Sequence, residues 1–240
     1  MNIFSALEHS TGVPWVVFSA LFASGLLLLA GLSVKRAIVN GGGVVPDEGV
    51  TIRNVFELIV EQLLEMGDMA MNGRENARKY FPIVGTIFFF ILISNLMGLV
   101  PGLAGSTSDV NTTTAWAVIS FGVYNYVGIK QHGWKYIHQF MGPSLFEMEF
   151  GGKHYHVRLL APVFLVLEIP LHLARILTLA VRLLANMFAD HAVVLAWIGL
   201  VPVVIPAVFM GLGTLVAFLQ AFVFALLTMI YIGMALQEAH

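Results

Sequence analysis

Four polar side chains stand close together in an otherwise apolar stretch, AVRLLANMFADHAVV, residues 180–194: Arg182, Asn186, Asp190 and His191. An arginine stays charged in proteins, so Arg182 is a fixed cation and a poor proton carrier. A fixed cation can hold a nearby carboxylate in its ionised form. Aspartate and histidine do exchange protons, and histidine titrates nearest neutrality. The stretch therefore combines a fixed positive charge with groups that can relay protons.

The polar face extends to the N-terminal side of Arg182. At about 100° per residue, one narrow sector of a helix would hold Glu168, His172, Arg175, Arg182, Asn186 and Asp190. Small residues on the same side border the arginine and would let another helix come close to the guanidinium: Thr178, Ala185 and Ala189. These positions predict a docking face with a charge at its centre.

Two interpretations of Arg182 stay open at this point. The arginine could snorkel to an interface or pair within its own chain, for instance with Glu168 or Asp190. Alternatively it belongs to an ion pathway, because a charge at mid-helix costs roughly 2.5–3.5 kcal/mol on insertion scales and usually marks such a path. Arg175 is closer to the start of the helix, which favours a structural role for it.

The composition is that of an integral membrane protein. Of the 240 residues 58% are hydrophobic and 11% charged, with a mean hydropathy of +0.86, whereas soluble domains carry roughly 25% charged residues. A net charge of −2 without a basic patch argues against nucleic-acid binding. The absence of cysteine excludes disulfides, thiolate metal sites and a cysteine nucleophile. The first residues, MNIFSALEHSTGVPW, have no basic leader, so we expect no cleaved signal or transit peptide.

We predict an all-α integral membrane fold in one membrane domain, residues 1–240. It comprises an N-terminal transmembrane helix over about 16–34, an interfacial amphipathic helix over 51–72, a helical hairpin of 81–99 and 114–128, and two long helices over about 159–201 and 205–236. Residues 129–158 are mixed and basic, which predicts a surface loop. The last two helices exceed the ~20 residues of an upright span, so we expect them to be tilted or kinked, with bends at Pro162 and Pro170.

The basic residues predict the orientation. Ten of the twelve lie on one side of this layout: Lys35, Arg36, Arg53, Arg74, Arg78, Lys79, Lys130, Lys135, Lys153 and Arg158. The positive-inside rule then places the N-terminus outside and the C-terminus in the cytoplasm. The other two, Arg175 and Arg182, are intramembrane.

The last predicted helix carries fewer polar residues than the helix that contains Arg182. Gln220 and Gly213 are seven residues apart on one face, and Tyr231 falls near the same face. For Gln220 alone, packing or a hydrogen bond between helices is the default interpretation. A membrane enzyme remains a separate alternative, although the chain has no H-E-x-x-H, G-x-S-x-G or phosphate-binding glycine loop. His154 and His156 favour polar surface over a metal site, so we predict no cofactor and no metal.

Two motifs resemble subunit a of the F-type ATP synthases, the membrane stator of the Fo sector. They are Arg182-Leu183-Leu184-Ala185-Asn186-Met187 and Leu219-Gln220-Ala221-Phe222-Val223-Phe224. The segments FFFILISNLMGLVPG (88–102) and TSDVNTTTAWA (107–117) are similar to the hairpin of that family. The resemblance runs from about residue 50 to the end of the chain, and the first span is similar in position only.

The resemblance implies a mechanism. Protons enter from outside through an aqueous half-channel and protonate a carboxylate on the rotating c-subunit ring, and a second half-channel releases them inside, which couples proton flow to rotation and ATP synthesis. Arg182 matches the family's essential arginine, which keeps the passing carboxylate ionised and blocks a leak. The subunit would be non-catalytic, with the c-ring, the b subunits of the peripheral stalk, other ATP synthase subunits and the lipid bilayer as partners, in a bacterial inner membrane.

The resemblance also assigns site residues. Asn186, His191 and Gln220 match positions of proton access or of the arginine's surroundings, and Asn95 matches a polar position near the outer half-channel. Some members carry glutamate in place of His191, histidine in place of Gly213, and glycine in place of Asp190. We therefore place the following in proton translocation: Arg182, Asn186, His191, Gln220, Asp190, Glu168 and Asn95, with Arg175, His172, Gly213 and Tyr231 in a second tier.

Two further alternatives stay open. The same polar helix could serve a self-contained ion channel or secondary transporter, which needs no partner ring, although no internal repeat supports this. The carried ion is a proton by default, and sodium is the other possibility.

Overall fold

A computed structural model describes residues 3–40, 51–100, 102–133, 146–150, 153–157, 161–198 and 204–237. Side chains are described over the same ranges except for residues 37, 40, 52, 146–150, 153–157, 161–169 and 198. The elements in chain order are α1 (Ile3–Thr11), α2 (Trp15–Asn40), α3 (Ile52–Ala70), α4 (Arg74–Leu99), a short 3-10 helix (Ser106–Ser108), α5 (Val110–His132), strands β1 (Phe146–Phe150) and β2 (Lys153–Val157), α6 (Ala161–Ile198) and α7 (Val204–Leu236).

The structure confirms the predicted all-α membrane architecture. Within the described residues, four helical segments are long and apolar enough to cross a bilayer: Trp15–Arg36, Arg74–Leu99, Pro170–Trp197 and Val204–Leu236. Helix α5 covers the predicted span 114–128 but is not among these four. Polar residues such as Asn111, Thr112 and Thr113 occupy its first turn, which lowers its hydropathy.

The predicted surface loop at 129–158 is wrong in part. Strands β1 and β2 form an antiparallel hairpin inside it, with Phe146 opposite Val157 and Phe150 opposite Lys153. Its signal in the sequence is the pair of glycines, Gly151 and Gly152, between two five-residue runs, which is typical of a hairpin turn.

Helix α3 is the predicted amphipathic helix. Thr51 caps its start by accepting a hydrogen bond from the Asn54 backbone N–H at 3.3 Å, which satisfies one of the donors left free at a helix N-terminus. Leu63 is buried in the core shared with α4 and α7. The C-terminal end of α3 lies against α7, where Gly233 faces the carbonyl oxygen of Ala70.

The main core lies between α4, α5, α6 and α7. Its largest fully buried side chains include Phe88 and Ile91 from α4, Leu183 from α6, and Phe224 and Ile232 from α7. A smaller cluster joins α1 and α2 to α4 through Phe4, Ala23 and Phe90, among others.

The two last helices are longer than a bilayer is thick. Helix α6 has 38 residues and α7 has 33, which at about 1.5 Å per residue gives roughly 57 and 50 Å. Both exceed the ~30 Å hydrocarbon core. Both prolines predicted to bend α6 lie within it, and Pro162 is in its first turn, where the missing N–H is tolerated.

Helices α3 and α7 pack closely against each other at Gly233. A Cβ built at Gly233 would collide with the backbone oxygen of Ala70. We expect Gly233→Ala to lower the free energy of unfolding by about 1–3 kcal/mol, the usual cost of overpacking. Unfolding by SDS, followed by circular dichroism, measures this.

Gly211→Ala is the matched control, because it lies in the same helix and its Cβ would meet nothing within 4 Å. Equal stabilities of the two variants would contradict the tight packing of α3 against α7.

Candidate functional site

Helix α6 presents Arg182 on its exposed face. The opposite side of this part of the helix is anchored by Leu179, Leu183 and Met187, which are 3%, 0% and 3% exposed. Their spacing of four residues fixes the rotation of α6 about its axis. Arg182 itself is exposed and makes no hydrogen bond or ion pair with any described residue.

The surface around Arg182 consists of small and apolar side chains. Three small residues of the predicted docking face are exposed: Thr178, Ala185 and Ala189. The apolar Val181 and Phe188 are also exposed, by 49% and 73%. A second helix could therefore come close to the guanidinium without displacing a large polar group.

Asn186 and Gln220 join α6 to α7 directly beside the arginine. The Asn186 Nδ2 donates to Gln220 Oε1 at 2.8 Å. Gln220 is only 6% exposed, and its Nε2 is buried without a partner in the described part of the chain. A buried unpaired amide donor is costly. The Gln220 Nε2 is therefore available to donate to a further acceptor.

His191 connects α6 to the end of α4. Its Nδ1 lies 2.8 Å from the Met187 carbonyl oxygen, and its Nε2 lies 2.9 Å from the Gly98 carbonyl oxygen. A neutral imidazole carries one N–H and can donate to only one of these oxygens, whereas the protonated ring can donate to both. A Cβ at Gly98 would collide with the terminal methyl group of Met187, so this side chain would have to move.

Asp190 lies beside Gly213 of α7. Its Cγ and Oδ2 are 3.7 Å from a Cβ built at the glycine, and the Leu99 side chain is 2.7 Å from that Cβ. Glycine is therefore the residue that fits without displacing Leu99. The lack of a side chain at Gly213 lets both Leu99 and the Asp190 carboxyl group pack close to α7.

Asn95 belongs to a buried polar network that sequence reasoning had not found in full. Its Oδ1 accepts from the Thr107 hydroxyl at 2.7 Å, and its Nδ2 donates to the Ala217 carbonyl oxygen of α7 at 3.4 Å. Ser94 lies 2.7 Å from Ser106, oxygen to oxygen. All four side chains are at most 1% exposed. The serine and threonine residues that follow α4 were the feature of the sequence that could have indicated this network.

Arg175 lies against two tyrosine rings on the other side of Arg182. Its guanidinium carbon is 4.2 Å from the Tyr231 ring centre and 5.5 Å from that of Tyr124. His172 lies 6.2 Å from Tyr124, ring centre to ring centre. The two distances from Arg175 are typical of cation–π contacts. Tyr124 was missed, and nothing in its sequence context distinguished it from other aromatic residues of α5.

The predicted polar stripe is thus divided into two clusters. The first cluster, with His191, Asp190, Gly213 and Asn95, lies towards the C-terminal end of α6. The second cluster lies towards its N-terminal end: Arg175, His172, Tyr231 and Tyr124. Arg182 stands between them, roughly 10 Å from Arg175 and 14 Å from His191 along the axis at about 1.5 Å per residue. Glu168 lies in α6, and its side chain lies outside the described residues.

Comparison with known proteins gives a consistent picture over nearly the whole chain. The family model described as ATP synthase A chain matches residues 15–233. The protein named ATP synthase subunit a 1 from Syntrophotalea carbinolica is 40% identical over 234 residues, which cover 98% of this chain and 88% of that protein. ATP synthase subunit a of Citrifermentans bemidjiense is 37% identical over 245 residues, covering 100% and 97%. ATP synthase subunit a of Bdellovibrio bacteriovorus is 35% identical, covering 88% and 86%.

The Asn186–Gln220 contact can be measured by a double-mutant cycle. We expect Asn186→Ala and Gln220→Ala to be coupled by about 0.6 kcal/mol, and at most about 1.7, the range found for hydrogen bonds between membrane helices. The free energy of unfolding in detergent provides the four values.

Thr214→Ala supplies the control cycle with Asn186→Ala, since the Thr214 hydroxyl bonds to Met210 within its own helix. That cycle should be additive. Additivity of Asn186→Ala with Gln220→Ala as well would show that the contact does not contribute to stability.

Proposed function

The chain belongs to the ATP synthase A chain family, and we propose that it is the proton-translocating stator subunit of the Fo sector. In this proposal Arg182 faces the carboxylate of a rotating c-ring, and two aqueous half-channels lead to it from opposite sides of the membrane. The family supports the stator role itself, and the arrangement around Arg182 supports the finer mechanism.

The exposure of Arg182 is the observation that carries the proposal. An arginine at the middle of a membrane helix costs roughly 2.5–3.5 kcal/mol on insertion scales. No acid among the described residues compensates this charge. A carboxylate supplied by a neighbouring protein would compensate it, and the guanidinium would in turn hold that carboxylate ionised.

The two clusters support separate entry and exit paths. The first cluster contains two residue types that exchange protons, His191 and Asp190, and Asp190 packs beside Gly213 of α7. The second cluster adjoins the cytoplasmic end in the predicted orientation. Arginine does not release its proton, so Arg182 interrupts any direct relay between the clusters. A proton would then pass only by moving on the rotor.

Partners and location follow from the same proposal. The small residues near Arg182 suit the packing of a c-subunit helix, and the b subunits of the peripheral stalk would hold the chain against the ring. The subunit would be non-catalytic and would lie in a bacterial inner membrane, with its N-terminus outside and its C-terminus in the cytoplasm. The clusters at His191 and at Arg175 would then belong to the outer and inner half-channels.

Removal of the fixed charge tests the mechanism. In the assembled ATP synthase, Arg182→Ala should abolish ATP-driven proton pumping, measured by quenching of a pH-sensitive dye in inverted vesicles. Arg182→Lys should be strongly impaired, since lysine keeps a charge but lacks the planar guanidinium fork.

Leu195→Ala is the control in the same helix, because this residue is exposed and uncharged but lies outside the surface around Arg182. It should pump at the rate of the unmodified complex. Full coupled pumping by the Arg182→Ala complex, with normal amounts of the protein in the membrane, would overturn the proposal.

The alternative of a self-contained channel makes an opposite prediction. The purified chain alone in liposomes should conduct few protons, because the proposed carrier carboxylate belongs to the ring. A pH-sensitive dye inside the liposomes measures this, with gramicidin as the positive control. Rapid conduction by the chain alone that is lost in Arg182→Ala would favour the channel.

A further inference from the structure

An open groove of about 450 Å³ lies between α2, α3 and α4, away from Arg182. Apolar side chains dominate its lining, with Leu27 and Val34 from α2 and the stacked rings of Phe56 and Phe89, whose centres are 5.0 Å apart. Its volume is in the usual range of small-molecule sites, roughly 300–1,000 Å³.

The groove has the length of one bilayer leaflet. Its lining on α2 runs from Leu27 to Ile38, which is about 16 Å at ~1.5 Å per residue. Half of a ~30 Å hydrocarbon core is about 15 Å. An acyl chain entering from the end near Ile38 would therefore reach to the middle of the membrane.

Basic side chains lie at that same end of the groove. Lys35 is four residues after the lining residue Gly31, and Arg78 is four residues before the lining residue Pro82. Residues four apart share a helix face. Lys35 therefore lies on the lining face of α2, between Val34 and Ile38, and Arg78 lies one turn before Pro82 on the lining face of α4. Both are exposed.

Glu57, the acidic residue of the lining, does not cancel this charge. The Arg53 Nε donates to Glu57 Oε1 at 2.8 Å, and the Arg53 side chain is only 3% exposed. This ion pair is internal to α3. The positive charge of Lys35 and Arg78 therefore remains available to a ligand at the mouth of the groove, and Arg36 and Lys79 add to it.

We propose that this groove binds one anionic glycerophospholipid, with an acyl chain along α2 and α4 and its phosphate between Lys35 and Arg78. Clusters of basic residues at the cytoplasmic end of membrane helices recognise such headgroups. A partner helix fits less well, because the exposed basic residues at this end of the groove favour an anionic group.

Native mass spectrometry of the purified full chain tests this site. Phosphatidylglycerol and phosphatidylcholine with identical acyl chains are the probes. We expect one tightly retained phosphatidylglycerol and a clear preference for it over phosphatidylcholine. The double substitution Lys35→Gln and Arg78→Gln should lower the affinity for phosphatidylglycerol by about fivefold for each charge removed.

Lys130→Gln is the control for charge, because it removes an exposed basic residue at the end of α5, which does not line the groove. Gly31→Trp should block binding of both lipids, since a Cβ at Gly31 meets nothing within 4 Å and leaves room for the ring in the groove. Gly25→Trp is its matched control on α2, equally free of contacts but outside the lining.

Three results would overturn the proposal. Equal affinity for the two lipids would remove the role of the basic residues, and binding unaffected by Gly31→Trp would place the lipid elsewhere. In the assembled complex, a photo-crosslinker at Thr86, which lines the groove, should capture phospholipid. Capture of a polypeptide instead would show that a protein helix occupies the groove.

Discussion

The constraint on which the rest of the structure depends is a guanidinium at the middle of a membrane helix that no acid among the described residues neutralises. Burial of Leu179, Leu183 and Met187 points Arg182 away from the core. A pair with an acid of its own chain would have neutralised the charge and removed its use to a partner. The absence of such a pair among the described residues leaves the charge directed at whatever covers this face.

The hydrogen bond between Asn186 and Gln220 explains how such a charge can be kept in place. One turn from Arg182, it ties α6 to α7 with one polar contact that carries no net charge. The remaining amide donor of Gln220 is buried without a partner among the described residues. Helix packing and the Asn186–Gln220 hydrogen bond thus fix the position of Arg182, whereas no described residue neutralises its charge.

Much of the fold could be predicted from the sequence, because hydrophobic periodicity and length decide membrane helices. The helical architecture followed from apolar runs, and α3 from the spacing of residues such as Leu63. Contacts between distant residues could not be predicted. The helical wheel placed Arg175, Arg182, Asn186 and Asp190 on one face, but only the packing of α5 and α7 shows that Arg175 meets tyrosine rings while Arg182 stays exposed. The hydrogen-bond partners of Asn95 could not be predicted either, because Thr107 and Ala217 come from two other segments of the chain.

The two sides of Arg182 differ in the kind of interaction that joins the helices. Towards the C-terminal end of α6, His191 meets two carbonyl oxygens, one from its own helix and one from Gly98 of α4. The number of protons on the ring therefore decides whether one or both oxygens have a donor. Towards the N-terminal end, Arg175 rests on Tyr231 and Tyr124, and its charge does not depend on proton uptake. In the proposed mechanism, a proton taken up by His191 would change the hydrogen bonds between α4 and α6, whereas the arginine–tyrosine contacts of the second cluster would not depend on one. This difference between the two clusters is consistent with the proposed path, in which protons enter on one side of Arg182 and leave on the other.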